Sequence, residues 1–286
     1  MQAPELLETD DFIDKTLGLP LQILFQDENY VAVFKPAGLI VHRSDETRTD
    51  EPVLLQSLRD QLGCHVYPVH RLDQPTAGLI LFGLNGSAAA KMVDLFTRRM
   101  VCKYYQALVC GRAPDTGWID KPLGAKSDDD WNPSDKVDPT IRQAFTQFET
   151  LYRYRVPEFE LNSSFTELSL LEIKPLTGRS HQIRRHLDHI GHAVVGDHRH
   201  GNNWTNEFIF GRTGVYRMLL TSMRLDFRHP YSGELHSIVT SRGSGFDLAI
   251  SQLQTFRVIA DPSPTRTSAR ASLAMAVTSG KERTTS

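Results

Sequence analysis

The residues best suited to chemistry lie in one short run, His70-Arg71-Leu72-Asp73-Gln74-Pro75-Thr76-Ala77-Gly78. Asp73 stands on a loop bounded by Pro75 and Gly78, and the chain then enters the apolar stretch 79–82. A carboxylate on a stiff loop beside a buried strand can be held toward a cleft, where it serves as a nucleophile or base. The plainer alternative is an aspartate that caps a turn. Histidines form a second concentration. His186, His189 and His192 recur every three residues, with His181 upstream and His198 and His200 downstream. Such spacing can bring two imidazoles to one helical face, as a metal site needs. However, no H-E-x-x-H core accompanies them, no carboxylate or cysteine completes a compact ligand set, and Gly191 should end the helix before His192. A basic, hydrogen-bonding surface fits better, and no metal is expected.

The elements that must carry these residues read as follows. Two short strands are expected at 22–27 and 30–35, around the turn Asp27-Glu28-Asn29. Helical leucine spacing marks 52–62. The nearly continuous apolar run 78–84 predicts a strand buried on both faces. Residues 87–99 read as a helix, with Ala89, Ala90, Val93 and Phe96 as its candidate core positions. A strand at 103–110 follows. The stretch 112–140, with four prolines and Asp128-Asp129-Asp130, reads as a polar surface insertion. Long strands are expected at 142–156 and 165–174, then a helix at 180–190 with Ile183, Leu187 and Ile190 on one side. Residues 218–227 and 234–240 pattern as a hairpin. This order gives an α+β domain around a mixed sheet. It spans 21–258, preceded by an acidic lead-in over 1–20 and followed by an unpatterned, disordered tail over 259–286.

Composition sets bounds on partners. No run of about 18 apolar residues exists, so no membrane span is expected. The acidic N-terminus has the wrong sign for a targeting peptide. Cys64, Cys102 and Cys110 are scattered and odd in number, which fits buried thiols in a reducing, cytoplasmic compartment. A net charge of −2 speaks mildly against a polyphosphate partner. The charge is uneven, however: residues 1–30 hold seven acids against Lys15, whereas 174–201 hold five Lys/Arg and six His against two Asp. One basic face is enough to hold a phosphate backbone.

The run H-R-L-D-x-x-T-x-G-L, here His70 to Leu79, resembles the signature of the ribosomal large-subunit type (RluA-like) pseudouridine synthases. Other segments match in order: Lys35-Pro36-Ala37-Gly38 with Val41-His42; Lys103-Tyr104-Tyr105-Gln106-Ala107; Thr177-Gly178-Arg179-Ser180-His181-Gln182-Ile183-Arg184; Gly196-Asp197; and His229-Pro230. The match spans roughly 22–242, and Val41-His42-Arg43-Ser44 with the run 182–197 is most similar to the tRNA-modifying branch. The sequence departs from the family pattern at Ala77, where Ser is frequent. It departs again at Thr221-Ser222, where a His-Ala pair is usual and which lies far from Asp73 along the chain.

The resemblance implies the pseudouridine synthase fold, a mixed and largely antiparallel sheet with flanking helices and a central cleft, without a separate S4 domain. It implies isomerisation of a uridine in tRNA, in the T-stem, with ribosomal RNA or catalytically silent RNA binding as alternatives. No cofactor and no obligatory protein partner are implied. Asp73 becomes the nucleophile and Tyr105 the functional tyrosine. Since strand side chains alternate, only one of Tyr104 and Tyr105 can face the cleft. Arg179 is assigned to the ion pair that keeps Asp73 charged, the alternative being a surface or phosphate-contacting arginine. His70, Arg71, Arg184, Arg185 and His186 are expected to meet the RNA, although His70 and Arg71 could equally be structural.

Overall fold

The structure, a computed structural model, describes residues 20–42, 53–124, 141–158 and 164–258. The acidic lead-in up to residue 19, the expected tail, Arg43-Ser44 and most of the polar insertion therefore lie outside the described residues.

β1 (Ile23–Gln26) and β2 (Tyr30–Lys35) form a hairpin. The Asp27 carboxylate holds its turn by accepting from the amides of Asn29 and Tyr30, each at 2.7 Å. Helix α1 (Leu54–Leu62) buries Leu54 and Leu58 and stops at Gly63, whose φ of 66° is the left-handed conformation that favours glycine. After the short β3 (Tyr67–Pro68) comes β4 (Ala77–Gly83), with all seven residues buried as its apolar run requires. Helix α2 (Gly86–Thr97) is capped by the Asn85 side chain, which accepts from the Ala88 amide. It buries Ala88, Ala89 and Met92, so Ala90 and Val93 are exposed, contrary to expectation. Three consecutive alanines blur the apolar stripe, and Met92 decides which face packs.

β5 (Cys102–Cys110), β6 (Thr116–Asp120), β7 (Phe145–Pro157) and β8 (Phe165–Pro175) follow. β6 sits inside the stretch read as a polar insertion. The helix α3 (Gln182–His189) is shorter than expected, and α4 (Asn203–Thr213) was not foreseen. β9 (Leu220–Arg228) and β10 (Leu235–Val239) form the expected hairpin, then α5 (Ser244–Leu253) and β11 (Arg257–Val258) close the described chain.

The strands make one sheet in the order β1-β2-β4-β9-β5-β8-β7-β11, with β10 on β9, β3 on β4 and β6 on β7. Among the named strands only β4 and β9 pair in parallel, through Ala77↔Thr221 and Gly78↔Ser222. This short seam joins the β1–β4 part of the sheet to the rest. Alternation divides the core. In β5, Tyr105, Ala107 and Val109 join one apolar cluster, and Leu108 faces another containing Leu168, Leu170 and Phe246. Of the three cysteines, all unpaired, Cys64 is exposed and Cys102 and Cys110 are half-buried, so none is the fully buried thiol expected.

Candidate active site

The Asp73 loop is gripped from the side by residues 35–39. The Lys35 side chain is fully buried, and its ammonium donates to the carbonyls of Pro36, Leu39 and Gln74 at 2.8–2.9 Å. Gly38 N donates to the Gln74 carbonyl at 2.8 Å, and Gln74 Nε2 returns a bond to Gly38 O at 3.2 Å. A buried lysine is tolerated when its three protons are met, and here they fasten two loops together. The Thr76 amide closes the turn on Asp73 O at 3.0 Å. Gly78 then enters the seam at φ 106°, where a Cβ would stand 2.3 Å from Ser222 O.

The Asp73 side chain is 23% exposed, and its Oδ2 lies 3.5 Å from Arg184 Nη1. Arg184 is buried, and its Nε and Nη2 donate to both oxygens of buried Asp197, at 2.6 and 2.8 Å. Asp197 also accepts from the amides of Arg199 and His200. Burial alone would raise the Asp197 carboxyl, but the Arg184 fork and the amides hold it below the usual carboxylate range. Burial likewise opposes the Arg184 charge, and Asp197 followed by Asp73 more than compensates. Arg184 is thus one fixed cation between two carboxylates, tightly held by the second and presenting one N–H toward the first.

Tyr105 is buried, with Ser222 opposite it in the β5–β9 register. Burial drives its phenol well above the ordinary range, the Ser222 hydroxyl pulls modestly the other way, and the Asp73 charge raises it further. It remains a protonated donor at neutral pH. Tyr104 faces the other side of the strand, where the Arg224 guanidinium lies 3.8 Å from its ring centroid. The two tyrosines separate as strand alternation requires. Nearby, burial lowers Lys103 to about 8, helped by Arg99, and its Nζ donates to Thr177 O at 3.0 Å.

These groups border a cavity of about 890 Å³. Arg71, Arg99, Lys103, Lys174, Arg179 and Arg184 line it, against Asp73 as the single carboxylate among the lining residues. The chain carries a net charge of −2, but this hollow is cationic.

Several sequence-derived roles change. Arg179 lines the cavity, but its Nε donates to Gln143 O at 3.2 Å, and the ion pair with Asp73 belongs to Arg184. Arg184, Arg185 and His186 are buried, so they do not form a face for RNA. Arg185 Nη1 donates to Gly124 O at 3.0 Å, while His186 bridges Thr146 Oγ1 and Lys121 O, each at 2.9 Å. His70 accepts from the Leu81 amide at 3.0 Å and stacks on Phe96. Burial lowers its pKa to about 3, with Lys103 adding to the effect, so it is a neutral structural acceptor. Arg71 is exposed on the cavity wall. His181 contacts His200 at 3.1 Å, His189 contacts Lys121 Nζ at 3.1 Å, and His192 contacts Cys110 O at 2.9 Å. Thr221-Ser222, remote in sequence, lies directly beside Gly78 and Tyr105. Position on α3 does not single out Arg184, because every residue from Gln182 to Leu187 is buried, Arg185 and His186 included.

A family model described as RNA pseudouridylate synthase matches residues 29–189. A protein of Vibrio parahaemolyticus described as tRNA pseudouridine synthase C is 37% identical over 75% of this chain and 87% of its own length. A protein of the same description from Pasteurella multocida is 39% identical over 74% and 87%. Among solved structures, human RNA pseudouridylate synthase domain containing 4 superposes with a TM-score of 0.62 at 24% identity, covering 84% of this chain and 95% of that one. Human RNA pseudouridylate synthase domain containing 1 gives 0.60 over 84% and 86%, also at 24% identity. These two similarities bear on the fold alone.

Proposed function

Because the chain belongs to the RNA pseudouridylate synthase family, the reaction to account for is uridine isomerisation, and we propose that it acts on a T-stem uridine of tRNA with Asp73 as nucleophile. The observation that carries the catalytic part is the placement of Asp73 in a cationic cavity, 3.5 Å from a buried arginine. The tRNA substrate is supported by relatives that are described as tRNA pseudouridine synthase C and matched over most of their length.

Isomerisation breaks the C1′–N1 bond, rotates the uracil and joins C5 to C1′; the C5 proton leaves and N1 ends protonated, so atoms balance. A carboxylate assists by adding to the ring or by trapping the sugar carbon, and either route needs it ionised away from bulk water. Arg184 supplies the facing cation, with one N–H directed at Asp73 Oδ2 across 3.5 Å. Tyr105 offers an aromatic face to the uracil and a phenol that stays protonated. A stem uridine must first leave its stack, at a cost of a few kcal/mol. The cations around the cavity offset this by holding phosphates on either side, and the shape of the folded tRNA supplies the selection.

Tritium release from C5-labelled uridine, measured on total tRNA and total ribosomal RNA, tests the reaction and substrate together. Release from tRNA is expected. Asp73→Asn should abolish it while leaving tRNA binding within a few-fold of wild type, because phosphate contacts dominate affinity. Release only from ribosomal RNA overturns the substrate, and turnover by a clean Asp73→Asn preparation overturns the nucleophile.

A further inference from the structure

Trp118 lines the same cavity as Asp73 and yet is 53% exposed. Its position follows from β6. Thr116, Trp118 and Asp120 take the exposed alternation, and Ile119 is buried in the core. Gly117 lies opposite Phe148, and a Cβ on it would stand 2.2 Å from the Phe148 ring. The ring therefore lies over the glycine backbone and pins the strand from the core side. Trp118 is left on the other side, where the ring contact seen is with Phe145, also a cavity residue, at 5.9 Å between centroids. A tryptophan held on a backbone fixed this way, with about half of its surface uncovered, is built as a platform.

The occupant follows from the charges. Besides Arg184, which Asp197 and Asp73 occupy, the cavity is lined by Arg71, Arg99, Lys103, Lys174 and Arg179, a charge that selects a polyanion, and Trp118 beside them selects one with flat apolar groups. Single-stranded or splayed RNA has that chemistry, since its bases stack on exposed aromatic side chains while cations follow the backbone. We infer that Trp118 stacks on the base of a nucleotide adjacent to the target uridine and holds it at the mouth of the cavity while the target occupies the Asp73 site. The inference rests on the proposed reaction and adds a binding subsite to it. Trp118 takes no part in bond making, so the effect of losing it belongs to substrate capture.

The test compares Trp118→Ala, Trp118→Leu and Trp118→Phe with wild type in steady-state turnover and equilibrium binding on a tRNA that wild type modifies. Stacking on an aromatic residue is worth about 5- to 150-fold in affinity per base. Trp118→Ala and Trp118→Leu should raise KM and Kd by that factor, with most of the loss in KM and not kcat, and Trp118→Phe should recover most of it. The slope of log affinity against log salt should not change, because the indole carries no charge. Placing an abasic nucleotide beside the target should cost wild type the same factor and cost Trp118→Ala nothing further. Thermal melting identifies any variant that has failed to fold, and Trp118→Phe then carries the comparison against the abasic RNA. Wild-type turnover with Trp118→Ala binding within twofold of it overturns the inference alone. Equal abasic penalties in both proteins do the same. Absence of wild-type turnover on any RNA overturns the proposed reaction, and this subsite with it.

Discussion

Arg184 serves two carboxylates unequally, and that inequality has consequences for both stability and rate. Asp197, 1% exposed, takes a two-pronged grip at 2.6 and 2.8 Å, whereas Asp73 is met at 3.5 Å. Arg184→Met strands the buried Asp197 charge and should cost about 3–5 kcal/mol of stability, read by denaturant unfolding. Turnover should fall as well. Adding Asp197→Asn to that variant removes the stranded charge, so part of the stability should return and the activity should not. His70 gives a pH signature. Its folded pKa of about 3 lies below the ordinary 6.5, so between these values the unfolded chain binds a proton that the folded chain refuses. Stability is therefore complete above about pH 6.5 and falls as the pH drops, by about 1.4 kcal/mol per unit from this group. His70→Gln, which keeps an acceptor for the Leu81 amide, should flatten an unfolding-versus-pH curve over that window by one proton; an unchanged slope would show that His70 is not buried neutral. At this scale the short motifs pointed to Asp73 and Tyr105, and the fold brings both to the wall of one cavity. The ion-pair partner was not legible, because Arg179 and Arg184 share one motif. The choice between them is made by the left-handed turn at His181, φ 49°, and by Asp197, thirteen residues beyond Arg184.

Elements with a strong pattern were readable and those without one were not. The unbroken apolar run gave β4, and alternating or β-branched stretches gave β7 and β8. Helix α4, Trp-Thr-Asn-Glu-Phe-Ile-Phe-Gly-Arg-Thr after Asn203, has no apolar stripe, and its capping Asn202 was the one local cue. β6 was hidden among prolines and acids because an edge strand held by one partner needs little apolar sequence. The most demanding joint between elements is the β4–β9 seam. Gly78→Ala places a methyl 2.3 Å from Ser222 O at a φ of 106°, so both sterics and backbone oppose it. We expect a loss of more than about 2 kcal/mol in chemical denaturation, with kcat reduced in whatever fraction remains folded, since Asp73 hangs from this seam. A variant as stable as wild type would show that the seam can yield.

For the whole molecule, the formal charge misleads about partners. The chain is weakly acidic, but its cavity gathers six cations around one carboxylate. Binding should therefore be governed by phosphate neutralisation: with about four contacts, tRNA affinity should drop roughly a hundredfold between 50 and 200 mM salt. A filter-binding series that showed a flat response would place the affinity elsewhere. The general architecture was legible because a mixed sheet with interspersed helices follows from element order. The assembly of the cavity was not, since its lining residues, from Val69 to Leu220, come from parts of the chain that no local pattern links. The seam of Ala77 and Gly78 on Thr221 and Ser222 has one last implication. Among the named strands, ladder hydrogen bonds weld the two portions of sheet along this short line, and side chains clasp them again farther out, where Asp27 Oδ2 lies 3.1 Å from His229 Nε2 and Phe25 meets His236 edge to face. A weld and a clasp on one joint fix the angle between two panels better than either does alone. Asp73 stands four residues before Ala77, and so is mounted beside the weld, where that fixed angle is set.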